Sequence, residues 1–193
     1  MNYFTADSHF SLNDETVISR DYRPFGSLIE MNERIINIWN DQAKENDFIY
    51  HLGDFVNYNF VDLEYDNLFT LVKKIKAKVI LVLGNNERRI LDNRFGGNFE
   101  NFKTYLQSIG FFNVYEKELN LKIGDHDFKL VHCPTDADKT SNYNLFGHIH
   151  RSVFVKKYGF NVGVDNHNYK LFSEEEIQDL YDRRKFYDEN VYN

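Results

Sequence analysis

KVILVLGNNE, residues 78–87, carries an unbroken apolar run from Val79 to Leu83 into a glycine and then a pair of asparagines. A continuous run of this kind suits a central strand covered on both faces. Gly84 ends it and Asn85 follows directly. Upstream, 47–52 (DFIYHL) reads as another strand and stops at Gly53. Between the two, Leu68, Leu71, Val72 and Ile75 place one apolar face on a helix over 61–76. Further back, Leu28, Met31, Ile35 and Trp39 predict a helix over 28–43, opened by Ser27 with Glu30 in a capping box. A short β-prone run at 2–6 ends at Asp7. Strands alternating with helices define an α/β class.

Downstream, helical segments are predicted at 87–93 and 98–109, the second closed by Gly110. The remainder turns β-rich, with strands at 111–116, 118–123, 126–132, 143–147, 152–157 and 160–164. Gly124-Asp125 forms a hairpin turn between two of them. A last helix starts at Ser173, again with a glutamate three residues on (Glu176), and runs to about 187 before a polar tail. No repeat, low-complexity run or Pro/Gly-rich linker divides the chain, so 1–193 is read as a single domain.

Composition narrows the function classes. With 42% hydrophobic and 17% aromatic residues the chain has ample material for a core. The single cysteine, Cys133, excludes an internal disulfide framework and suits a reducing compartment. The N-terminal MNYFTADSHF has neither a basic region nor an apolar one, and no apolar stretch reaches the ~18 residues of a membrane span. A cytoplasmic protein with no membrane partner is expected. Net charge is −7, and lysines and arginines are scattered apart from small clusters at 73–78, 88–89 and 183–185. That balance counts against long nucleic acid, which is held largely through phosphate contacts with a basic face.

The histidines and acids fall in a pattern. Asp7 and His9 follow the first strand, Asp54 the second and Asn85 the third; His132 ends a later strand, and His148 and His150 follow the next. All lie at carboxyl ends of predicted strands, where ligands bind in α/β sheets. Residues two apart in extended chain point to one side, so Asp7/His9 and His148/His150 can each grip one centre. Gly53, Gly84 and Gly147 each precede a candidate ligand and permit a tight turn, with positive φ where needed. Any one of these histidines alone would be an ordinary structural residue, as His51 and His126 are read to be. Two carboxylates, an amide and four imidazoles are too many for one ion but suit two, with open positions for water and substrate. Mixed N/O donors favour Mn, Fe, Zn, Co or Ni over Ca or Mg. Two such cations about 3.5–4 Å apart lower the pKa of a bridging water and clamp phosphate oxygens.

In order, the blocks D7-S8-H9, G53-D54, G84-N85, His132 and G147-H148-I149-H150 resemble the calcineurin-like metallophosphoesterase superfamily, with Asn161–Val164 (NVGV) like its closing motif. The resemblance implies a four-layer sandwich of two mixed β-sheets flanked by helices. It implies one metal on Asp7, His9 and His150, a second on Asn85, His132 and His148, and Asp54 bridging; of the two metals, Mn is favoured. It also implies attack at phosphorus by a metal-bridging hydroxide. One departure stands out: the family commonly carries histidine where this chain has Asn86. An amide donates hydrogen bonds but delivers no proton near neutral pH. Asp54, His148 and Asn86 are accordingly the candidate catalytic residues, with His51 and His167 as substitute proton donors and Arg88 and Arg89 as phosphate holders.

The expected function is hydrolysis of a small phosphodiester or phosphomonoester, nucleotide-like in character. The alternatives are a nuclease on short or single-stranded nucleic acid and a non-catalytic metal-binding scaffold. Loops 11–27, 55–60, 93–99 and 133–142 are expected to set specificity.

Overall fold

Strands and helices alternate along the first half of the chain, and strands dominate the second, in a computed structural model that describes residues 1–12, 14–58, 65–140 and 143–184. The first half contains β1 (Asn2–Thr5), α1 (Thr16–Arg20), α2 (Leu28–Gln42), β2 (Phe48–His51), α3 (Tyr65–Phe69), β3 (Lys78–Val82), α4 (Asn85–Phe95) and α5 (Phe99–Ile109). The second contains β4 (Asn113–Tyr115), β5 (Glu118–Ile123), β6 (His126–Val131), β7 (Tyr143–Phe146), β8 (Val155–Lys156), β9 (Gly159–Asn161), β10 (Phe172–Ser173) and α6 (Glu174–Arg183). The helix predicted over 61–76 is α3 followed by a 3-10 turn, Thr70–Lys74; its expected first residues lie outside the described ones. The predicted extension of α6 to 187 likewise lies beyond them.

Two mixed sheets result. One has the order β10-β1-β2-β3-β4, parallel except for β10, which runs antiparallel along β1. The other has the order β5-β6-β7-β9-β8 and mixes both senses. Strand periodicity divides the core. Tyr3, Ile49, Val79 and Leu81 face α2, α4 and α5, where Met31, Ile35, Trp39, Ile90, Phe102 and Leu106 meet them. Their chain neighbours Phe4, Tyr50, Ile80 and Val82 face the second sheet, against Phe128, Leu130, Leu145 and Phe160. A strand buried on both faces reads as the unbroken apolar run seen at 79–83. α6 packs on β10, β1 and β5, placing Ile177 in the layer between the sheets.

This is the α/β sandwich of two mixed sheets and flanking helices that the resemblance implies. β10 was not anticipated: two residues carry too little pattern to announce a strand. α1 also falls inside what reads as the 11–27 loop. Ser173 and Glu176 form the full capping box at α6, whereas Glu30 at α2 turns back to the Gly26 N–H (2.8 Å) instead of Ser27. In this arrangement the ends of β1, β2, β3, β6 and β7 open toward one side of the sandwich.

Candidate metal centre

Beyond β1 the chain continues alongside the segment beyond β2. The Asp7 N–H donates to Gly53 O (3.0 Å), His9 N–H to Asp54 O (2.9 Å) and Phe10 N–H to Phe55 O (2.9 Å). Here the geometry departs from the extended chain expected for Asp7/His9 and His148/His150. Asp7, His9, Asp54, His148 and His150 all have positive φ, at 59°, 48°, 53°, 73° and 45°. Each non-glycine residue held there costs about 1–3 kcal/mol, which the surrounding structure must over-determine. Of the glycines before the ligands, only Gly53 needs its conformational freedom, at φ 87°. Gly84 is required for space: a Cβ there would lie 2.3 Å from both the backbone N and Oδ1 of Asp54.

These loops bring the predicted residues together in two groups. Single ligand atoms of Asp7, His9 and His150 lie within 4.8 Å of one another, and so do those of Asp54, His132 and His148. Asp54 stands between the groups, with Oδ2 3.6 Å from His9 Nε2 and Oδ1 3.6 Å from His132 Nε2. Asn85 joins the second group, its Oδ1 3.0 Å from both His132 Nε2 and His148 Nδ1. His132 Nδ1 lies 2.7 Å from Leu52 O and donates to it, so Nε2 keeps its lone pair. In the opposite amide orientation Asn85 Nδ2 would face His132, His148 and Asp54 Oδ2 at 3.0, 3.0 and 3.2 Å. That is three acceptors for two hydrogens, whereas a cation among these atoms satisfies every lone pair. The donor set fits a divalent metal.

A model of the family described as calcineurin-like phosphoesterase matches residues 3–189. The chain belongs to that family. It is 28% identical to an uncharacterized protein of Methanocaldococcus jannaschii, over 95% of this chain and 92% of that one. A protein of unknown function from Aquifex aeolicus has the same fold, with a TM-score of 0.67 at 23% identity, covering 93% of this chain and 98% of that one. A novel archaeal phosphodiesterase aligns at a TM-score of 0.46 and 19% identity, over 84% of this chain and 81% of its own. The family membership makes this a metal-dependent phosphoesterase.

In the phosphoesterase, the electrostatics of the second group suit ligands that must be deprotonated. Burial pushes His132 down to about 4, and burial with His132 and His150 nearby lowers His148. Burial raises Asp7 well above the carboxylate range against the pull of His150; Asp54 adds to the rise. Asp7 and His150 both favour the protonated form: burial alone would lower His150, but the hydrogen bond it donates to Asp165 and the charges of Asp7 and Asp21 raise it overall.

A third group, Asp21, His150 and Asp165, also lies within 4.8 Å. Its Asp165 accepts from Arg23 Nε and Nη2, both at 3.1 Å, so its oxygens are already engaged. Neither Arg23 nor Asp165 is signalled by the ligand pattern, although Asp165 also sits just past a strand, β9. Glu87 went unassigned as well. It is fully buried and accepts from the N–H groups of Asp54 (2.8 Å), Gly84 (2.9 Å) and Val56 (3.2 Å), while burial and Asp54 push its carboxyl up to about 7.

A cavity of about 340 Å³ opens over the centre, with Asp14, Asp21, Asn57, Tyr58, Asn86 and Arg89 on its walls beside the ligand residues. Among the described residues, loop 11–27 contributes Asp14 and Asp21 and loop 55–60 contributes Asn57 and Tyr58, while those of 93–99 and 133–142 do not line it. Arg89 lies over the Tyr58 ring at 5.9 Å, whereas Arg88 turns away to Glu116 O (3.3 Å). His51 is enclosed and its Nε2 meets Ser8 Oγ at 2.9 Å; His167 lines a separate cavity, stacked on Phe172. Neither substitute proton donor reaches the centre. His126 lies tilted against the Tyr181 ring at 4.0 Å, a structural contact.

Proposed function

We propose that the phosphoesterase hydrolyses a small, nucleotide-like phosphodiester or phosphomonoester at a pair of divalent transition metals, with Mn favoured. The supporting observation is the convergence of Asn85 Oδ1, His132 Nε2 and His148 Nδ1 on one side of Asp54, with Asp7, His9 and His150 on the other. Asp7, His9 and His150 would hold one ion, Asn85, His132 and His148 the other, and Asp54 both. When bound, the pair supplies Lewis-acid charge and an acidified water.

The chain's own residues orient and stabilise. Asp54 is fixed by the Asn86 N–H, which donates to its Oδ1 at 2.9 Å, so its second oxygen stays directed at His9. His148, at the exposed rim of the centre, faces the cavity where the ester would lie. Arg89 places a guanidinium there for substrate phosphate, and Tyr58 offers a ring on which a base can stack. Water oxygen adds to phosphorus and gives up a proton to solvent, the P–O bond to the leaving group breaks, and the departing oxygen takes its proton from solvent. Asn86 supplies none. The reading therefore favours leaving groups that depart without protonation. A cavity of about 340 Å³ and a net charge of −7 fit a small ester better than a duplex.

The test is an assay of Mn²⁺-loaded protein on bis(p-nitrophenyl) phosphate and p-nitrophenyl phosphate, with His148→Ala beside it. Metal-dependent turnover that falls at least about 100-fold in the variant is expected. Equal rates in both proteins would assign the hydrolysis to a contaminant. Metal uptake without turnover of either ester would favour the scaffold reading.

A further inference from the structure

Arg23 is an arginine with no exposed side-chain surface; besides Met31 Sδ, at 3.6 Å from Nη1, its partners belong to the loop of the first metal group or support it. Nη1 donates to Ser8 O and Nη2 to Asp7 O, both at 2.6 Å. Nε and Nη2 also donate to the two oxygens of Asp165, each at 3.1 Å. Asp165, equally buried, turns Oδ2 to His150 Nδ1 at 2.9 Å. Asp21 faces the same nitrogen from a longer 3.6 Å. A buried ion pair is poor value for stability alone, since desolvation offsets much of the attraction. Its position here argues for another use. One guanidinium fixes the backbone carbonyl of Asp7, a residue at φ 59°, and through Asp165 the ring of His150, a residue at φ 45°.

We propose that Arg23 and Asp165 are positioning residues for the first metal: Asp165 holds the proton of His150 on Nδ1 so that Nε2 presents a lone pair, and Arg23 locks Asp165 and the Asp7 loop together. The inference rests on the reading of Asp7, His9 and His150 as ligands. The second group has its own device, the His132 Nδ1–H donated to Leu52 O at 2.7 Å, and does not depend on Arg23. Outer-shell partners of this kind change metal affinity by about 10- to 100-fold when replaced.

The experiment is calorimetric titration of the metal-stripped full chain with Co²⁺, for wild type, Asp165→Asn and His150→Ala. The wild type is expected to take two ions per chain. In Asp165→Asn one of them should bind about 10- to 100-fold more weakly, the same ion that His150→Ala loses, with the other unchanged. Both ions weakened alike, or neither, would overturn the proposal, because a merely structural pair has no reason to choose one site. Asp165→Asn leaves a buried guanidinium unpaired and can fail to fold; the neutral pair Arg23→Met/Asp165→Leu then decides by the same criterion. A wild type that binds fewer than two ions would defeat the dinuclear reading itself, and that failure is seen before any variant is compared.

Discussion

Asn86 is buried, and its Nδ2 donates to Val56 O at 3.1 Å and lies 3.1 Å from His9 Nδ1. These contacts hold the amide on the wall of the cavity, where the family commonly places a histidine. A side chain without a titratable proton leaves the departing oxygen unassisted, and general-acid help is worth about 10²–10⁴-fold. Asn86→His is therefore expected to raise kcat/KM on an alkyl phosphoester by at least about tenfold while changing a p-nitrophenyl ester by less than about twofold. Steady-state rates on the two esters measure it. No gain on the alkyl ester would mean that position 86 does not limit leaving-group departure. The residue types at Asp7, His9, Asp54, Asn85, His132, His148 and His150 were legible because each follows a strand-like run. The left-handed backbone at five of them was not, since nothing in an aspartate or histidine announces positive φ. At Asp7, His9 and Asp54 it accompanies the bonds from Asp7 and His9 to the loop beyond β2, and at His148 the N–H donated to the Asp7 carboxylate, both long-range pairings.

Among the elements, α4 does the most to shape the site. It begins at Asn85, two residues before the predicted start, because Gly84 serves as its N-cap and Glu87 reaches back to the Gly84 N–H. The same carboxyl accepts from Asp54 and Val56, tying the helix start to the loop beyond β2. Glu87→Ala would strand three buried N–H groups. At about 1–3 kcal/mol for each, softened by any water that enters, a loss of about 3–5 kcal/mol is expected. Urea denaturation of the metal-free protein measures it; a loss below about 1 kcal/mol would show that water replaces the carboxyl without penalty. α2 was readable from the helical spacing of its apolar residues, and β2 and β3 from short runs ended by a glycine, the second unbrokenly apolar. β10 and the Arg23–Asp165 pair were not, because each depends on which distant segment comes alongside.

Across the whole molecule, the layer of side chains under the centre must stay uncharged. His51, on β2, is fully enclosed, with its ring edge-on to Phe55 at 5.2 Å and tilted against Trp39 at 5.9 Å. Burial, reinforced by His132, pushes it from its ordinary 6.5 down to about 3. The unfolded chain thus binds a proton that the folded chain refuses between those values. The stability tied to neutral His51 is complete above about pH 6.5 and is lost as pH falls toward about 3. One such group gives a slope of up to about 1.4 kcal/mol per pH unit. His132, pushed down to about 4, adds a second contribution of the same sign, while Asp7, held above its ordinary value, opposes it. His51→Gln keeps a polar partner for Ser8 and removes the titration. The difference in unfolding free energy between wild type and variant, measured in urea without metal, should shift by about 1 kcal/mol per pH unit in the variant's favour from pH 6.5 to 4.5. A difference that stays flat over that interval would mean that His51 accepts a proton inside the fold, and that the floor of the metal centre is wetter than its packing implies.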